Sequence, residues 1–140
     1  MLSKQQKIEQ FDPSQPGLAD ATIYGLPFTA EESEIIILPA PWEVTVSYGS
    51  GASEGPEAIF NASFQVDLLH QEFPDLWKLG IYMDEAPEQW IANSEKYKSL
   101  AQPIIEALEN GEAIETFPQL QSDLDKINKA SAQFNQEVKE

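Results

Sequence analysis

The sequence predicts an α/β fold, a section of a three-layer α/β/α arrangement with an incomplete parallel sheet. Three observations carry that expectation. Ile35, Ile36, Ile37 and Leu38 form an unbroken β-branched-rich run, the pattern of a strand buried on both faces. A glycine-rich loop follows, and Pro56 then opens an apolar-periodic segment. A second strand candidate and two further helical stripes come after it, giving an alternating order of strands and helices.

Residues 1–33 read as an irregular lead-in, broken by Pro13, Pro16 and Gly17 in its first twenty residues. Within it, residues 21–28 suggest a short edge strand or a turn. Residues 34–140 form the α/β portion. The first strand spans residues 34–40 and ends at Pro39 and Pro41. The helix after Gly55 is expected to have Gly55 as N-cap and Glu57 favourably placed for the helix dipole. Its buried face is expected to carry Phe60, Phe64 and Leu68, broadened by Ile59, Ser63 and Val66. Leu79, Ile81 and Met83 alternate with Lys78, Gly80 and Tyr82, which predicts a second strand over 76–84. Residues 93–110 read as helical, with a kink or split at Pro103 and a stop at Gly111. From Pro118 onward, Leu120, Leu124, Ile127, Ser131, Phe134 and Val138 recur at spacings of four and three, one apolar helix face. Two strands make a small sheet, and that last stripe meets no Gly, Asn or Pro stop. The expectation is therefore the first part of a larger α/β protein.

Composition excludes several function classes. Of 140 residues, 24 are acidic and 8 basic, a net charge of −16, and all eight cations are lysines. A nucleic-acid binder needs cations to neutralise phosphates, and an anionic membrane surface needs them too. There is no cysteine, which removes thiolate catalysis and zinc-thiolate sites. A single histidine, His70, argues against a histidine-rich metal centre and reads as a structural or helix-end residue. The first residues carry no apolar signal stretch and no window is apolar enough to span a bilayer, so the expected location is cytoplasmic.

The loop from Pro41 to Gly55 holds the candidate site. Gly49, Gly51 and Gly55 allow positive φ and close backbone approach, while Glu43, Ser47 and Tyr48 offer hydrogen-bonding groups. Loops past the carboxyl ends of parallel strands line ligand crevices in α/β folds; a tight connector solving only backbone geometry is the plainer reading.

Pro41, Glu43, Ser47, Tyr48, Gly51, Gly55, Pro56, Ala58 and Ile59, in one frame after a strand, resemble the ureohydrolase family, the arginase and agmatinase group. The likeness extends more weakly over residues 34–140 and is nearest the agmatinase branch. It implies an arginase-like, Rossmann-like three-layer fold and, for the complete protein, manganese-dependent hydrolysis of a guanidino carbon–nitrogen bond with release of urea. Gly49 and Ser53 stand where most agmatinase-like members carry Arg. The family's ligand motifs for two manganese ions, Gly-Gly-Asp-His, Asp-Ala-His-x-Asp and Ser-x-Asp-x-Asp, do not occur here. The resemblance thus assigns no catalytic and no metal-ligating residue to this chain. It implies an N-terminal section that is inactive alone, and an active-site-mouth loop of Glu43, Ser47, Tyr48 and Gly51. The implied partners are the remainder of the ureohydrolase domain, further copies in a homo-oligomer, and a guanidino small molecule.

Other readings rest on less. Gly49, Gly51 and Gly55 sit too far past the strand for a dinucleotide fingerprint, and Glu54 would face the phosphates. A non-catalytic acidic interaction module fits the charge, yet the acidic residues are spread along the chain. Asp84–Glu85, Glu31–Glu32 and Asp123/Asp125 are carboxylate pairs with no flanking pattern that tunes them, and Asp84 reads as a strand-end cap. Trp77, Phe60, Phe64 and Phe134 read as core. Trp42 and Tyr48 are candidates for ligand or subunit contact, and Trp90 reads as either partly buried or at an interface.

Overall fold

The computed structural model describes residues 2–17, 21–46 and 48–139. In chain order it contains α1 (Lys4–Gln10), β1 (Ile35–Ile37), α2 (Gly55–Ser63), β2 (Ile81–Met83), α3 (Glu88–Glu109) and α4 (Pro118–Glu137), with four short 3-10 turns between them. The fold is α/β. Its strands run parallel, with Ile35 opposite Ile81, Ile36 opposite Tyr82 and Ile37 opposite Met83. Such a pair, joined through a helix, is compatible with a portion of an arginase-like α/β sheet.

Contacts group the chain into two units, residues 1–39 with 56–85, and residues 40–55 with 86–140. In the first, Leu26, Phe28 and Trp77 are buried together, with Ile8, Phe11, Tyr24, Leu68 and Ile81 packed around them. The lead-in is less irregular than the sequence suggests, because it contains α1. Ser3 Oγ accepts from Gln6 N–H at 3.3 Å while Ser3 N–H donates to Gln6 Oε1 at 2.9 Å, a reciprocal cap that satisfies two otherwise unpaired donors. Residues 21–28 take the turn option. Ile23–Gly25 is a 3-10 turn with Tyr24 at φ 63°, and Tyr24 N–H donates to Ser63 Oγ at 2.8 Å.

Three expectations for this unit are corrected. β1 is not buried on both faces: Ile35, Ile36 and Leu38 are 42%, 47% and 43% exposed. A β-branched run reports strand propensity, whereas burial depends on what lies against the sheet, and here each strand has one neighbour. α2 stops at Ser63, and its packed face is narrower than the apolar pattern suggests. Ser63 is buried and donates to Phe60 O at 2.6 Å, whereas Ile59 and Val66 are exposed. The second strand is halved, because Leu76–Leu79 forms a 3-10 turn and Gly80 takes φ 76° before β2 begins.

In the second unit Val44, Ala101, Ile104, Ile114 and Ile127 form the core, where α3 packs on α4. α4 follows the predicted stripe: Ile127 is buried, Leu120 and Leu124 pack against the core, and Phe134 stacks on Trp42 at 4.5 Å. α3 ends where Gly111 predicts. Glu112 N–H donates to Ala107 O and Gly111 N–H to Leu108 O, with Gly111 at φ 73°, the paired bonds of a Schellman cap. The expected split at Pro103 does not occur; α3 runs through it for 22 residues. Proline removes one N–H donor, but Ala101, Ile104 and Ala107 are buried on either side and hold the helix in register.

Candidate functional site

The loop of residues 41–54 is organised around one carboxylate. Glu43 is 5% exposed. Its Oε1 accepts from Lys98 Nζ at 2.6 Å and from Gly51 N–H at 3.1 Å. Its Oε2 accepts from Gly51 N–H at 3.0 Å, Ser53 N–H at 2.8 Å and Ser53 Oγ at 3.2 Å. Lys98 Nζ also reaches Ser50 Oγ. The backbone is tied from the same helix, since Glu43 N–H donates to Ser94 Oγ at 2.8 Å. Ser94 and Lys98 are one turn apart on α3 and so share a face.

The electrostatics follow from this geometry. The Lys98 ammonium, then the Ser53 amide, with smaller help from Ser50 and Gly51, hold the Glu43 carboxyl far below the usual carboxylate range; burial opposes them and loses. A carboxylate so engaged fixes the loop around itself. Gly51 takes a φ of 133°, a conformation that residues with a side chain rarely adopt, while its amide donates to Glu43. Ser53, where agmatinase-like members carry Arg, takes part through both its amide and its hydroxyl.

The four residues singled out from the sequence thus separate. Glu43 and Gly51 meet inside the loop. Tyr48 is 98% exposed at its tip. Ser47 lies outside the described residues. Gly49, the other departure, has φ 69° and open space around it. Sequence reasoning missed Ser94 and Lys98, which complete the arrangement from α3. Their i, i+4 spacing was legible, but the loop they reach is about fifty residues away in sequence.

The remaining candidates are placed plainly. His70 is exposed, accepts from Glu72 N–H at 3.2 Å and stacks beside Phe73. It follows a turn after α2 rather than ending a helix. Asp84 accepts from Glu85 N–H at 2.9 Å beyond β2, a strand-end cap. Glu32 pairs with Lys7 at 2.5 Å, and Asp123 with Lys126 at 2.7 Å and Gln119 at 2.8 Å. Those cations and donors hold both carboxyls below their ordinary values. Trp77 and Trp90 are buried, while Trp42 packs against Tyr97 and Phe134. Among the described residues no group of three or more His, Asp or Glu is arranged to hold a metal ion. With one exposed imidazole, the donor set does not fit a pair of manganese ions. No helix among the described residues is long and apolar enough to cross a membrane.

No family model matches the chain, and no solved structure matches it. It is similar to proteins named N(1)-aminopropylagmatine ureohydrolase. The relative from a Synechocystis species is 36% identical over 72 residues, 50% of this chain and 22% of that protein. Relatives from two strains of Thermus thermophilus are 35% identical over 65 residues, 44% of this chain and 21% of theirs. The chain thus spans about a fifth of the length of the curated relatives it matches. These relatives support the likeness to ureohydrolases read from the loop.

Proposed function

We propose, from its likeness to ureohydrolases, that the chain is a section of a manganese-dependent, agmatinase-like enzyme. The complete protein would hydrolyse a guanidino carbon–nitrogen bond and release urea. The observation that carries this is the 36% identity to an aminopropylagmatine ureohydrolase over half the chain. The strand–loop–helix–strand order around the Glu43 loop supports it. The substrate class we favour is a guanidino compound with an aliphatic cationic tail, as the relatives' names describe.

In this reading the section supplies scaffold and a loop at the active-site mouth, and the manganese pair is held by residues elsewhere. Glu43 and Gly51 shape that loop, while Tyr48, and Ser47 beside it, are the residues that meet substrate or a neighbouring copy. The partners are the remainder of the ureohydrolase domain and further copies in a homo-oligomer, in a cytoplasmic setting. The 140-residue chain by itself is inactive.

Two measurements test this. Urea release from agmatine or aminopropylagmatine, with manganese added, is expected to stay at background for the 140-residue chain; turnover overturns its inactivity. Grafting the matched 72-residue stretch in place of its counterpart in the Synechocystis relative is expected to give a soluble enzyme that still releases urea. A chimera that does not fold overturns the family reading.

A further inference from the structure

We propose that Lys98 is the positioning residue of the mouth loop: by bridging the two limbs of that loop it sets the place at which Tyr48 is presented. The proposal rests on the reading above, in which Tyr48 meets substrate or a neighbouring copy, and names what holds that residue in register.

The loop divides into a tied base and an untied tip. At the base, Glu43 N–H donates to Ser94 Oγ at 2.8 Å, Val44 is buried in the core of the second unit, and the Gly51 and Ser53 amides donate to the Glu43 carboxylate. At the tip, Thr45 is exposed, Tyr48 is almost fully exposed, and a Cβ at Gly49 would meet nothing within 4 Å. Among the described residues, none hydrogen-bonds to Tyr48 or Gly49. A tip without contacts of its own takes its position from its two ends, and its freedom grows as those ends are allowed to part.

Among the described residues, Lys98 is the side chain outside the loop that hydrogen-bonds to both limbs. Its Nζ donates to Glu43 Oε1 at 2.6 Å on the incoming limb and to Ser50 Oγ on the outgoing one. Ser94, one turn away on α3, holds the incoming limb alone. The Gly51 and Ser53 bonds close the loop on itself, whereas Lys98 ties its outgoing limb to a long helix. That helix is a firm mount, since Ala101 and Ile104, just beyond Lys98, lie in the core shared with α4.

Charge and donor number explain why a lysine does this. Residues 41–53 contain Glu43 and no basic residue, so the cation has to come from outside the loop. An ammonium carries three donors on one atom and serves a carboxylate and a hydroxyl at once. A methionine of similar length serves neither, while a guanidinium, with five donors, serves both.

The test reads backbone order by NMR relaxation on the isotope-labelled 140-residue chain, well below its melting midpoint and without substrate. Lys98→Met and Ser50→Ala are each expected to lower the order parameters of the Tyr48 and Gly49 amides to below about 0.6, while those of Ile104 and Ile127 stay at about 0.85. Lys98→Arg is expected to hold the tip as the unaltered chain does. The double replacement of Lys98→Met with Ser50→Ala should be no looser than Lys98→Met alone, because both remove one bridge. Tip amides unchanged in Lys98→Met, equally loose in Lys98→Arg, loosened additively in the double variant, or already as loose in the unaltered chain overturn the proposal. Should Lys98→Met fail to fold, Ser50→Ala decides: a loosened tip with an unaltered melting midpoint supports the bridge, and an unchanged tip overturns it. No catalysis is read, so failure here is distinguishable from failure of the family reading, which the chimera tests.

Discussion

Lys98 Nζ lies 2.6 Å from Glu43 Oε1, and the two residues close the loop of residues 41–54 from opposite sides, one from α3 and one from the chain leaving β1. The lysine is a third exposed while the carboxylate is almost wholly covered. The buried partner depends on the pairing more than the exposed one does. Breaking a pair by removing one member leaves the other uncompensated, which costs more than the pair's net worth.

The variants Glu43→Ala, Lys98→Met and the double replacement therefore form an informative set. Glu43→Ala orphans the Gly51 and Ser53 amides and is expected to lower the melting midpoint by several degrees. Lys98→Met leaves a covered carboxylate with backbone donors only and should cost less. Thermal unfolding of all three should show strong non-additivity; additive losses would mean the two residues act separately.

Acid should unfold the chain through the same carboxylate. Glu43 has a folded-state pKa below its unfolded value, so its contribution is complete above the ordinary glutamate range and is lost as the pH falls toward the folded value. Asp123 and Glu32 act with the same sign. Melting curves followed by circular dichroism should be nearly constant from neutrality to about pH 5 and fall steadily below it. In Glu43→Gln, which carries no titrating group there, the acid slope should be shallower.

Two glycines separate backbone strain from crowding. Gly49 and Gly80 both have positive φ, but a Cβ at Gly80 would stand 2.9 Å from Ser33 Cα, whereas one at Gly49 meets nothing within 4 Å. Gly80→Ala is expected to destabilise by about 1–3 kcal/mol or more and Gly49→Ala by about 1 kcal/mol. Urea denaturation of both variants checks the order.

Within the second unit, Ile127→Ala should cost about 2–5 kcal/mol, because the methyl groups removed leave a space that two long helices cannot easily close. Val138→Ala at the exposed end of the same stripe should change stability by about 0.5 kcal/mol or less. Denaturant midpoints distinguish a stripe buried throughout from one buried only in its middle.

What could be read from the sequence was local. The α4 stripe and the Gly111 stop are set by periodicity and backbone chemistry, and they hold, whereas α2 begins at Gly55, whose φ of −52° and ψ of −46° make it the first helical residue rather than the expected N-cap. The cap that builds α1 is also legible as Ser3 followed three residues later by Gln6, although Pro13 and Pro16 just beyond it interrupt regular structure. What was not legible depends on distant partners. Pro103 sits in an unbroken helix with buried residues on either side, and Ile35 and Ile36 of β1 stay exposed among the described residues. At the site, the sequence singled out Glu43 for a ligand. The two α3 residues that engage it, Ser94 and Lys98, lie 51 and 55 positions away.

The open isoleucines of β1 and the charge of −16 belong to one chain but act over different ranges. Like charges keep copies apart over a Debye length, about 10 Å in 0.1 M salt and about 3 Å in 1 M, whereas apolar strands attract only at contact. Ionic strength is therefore the lever on this molecule's colloidal behaviour. Dilute buffer should keep it dispersed, and concentrated salt should let the strands find one another, the reverse of what salt does to an assembly held by opposite charges.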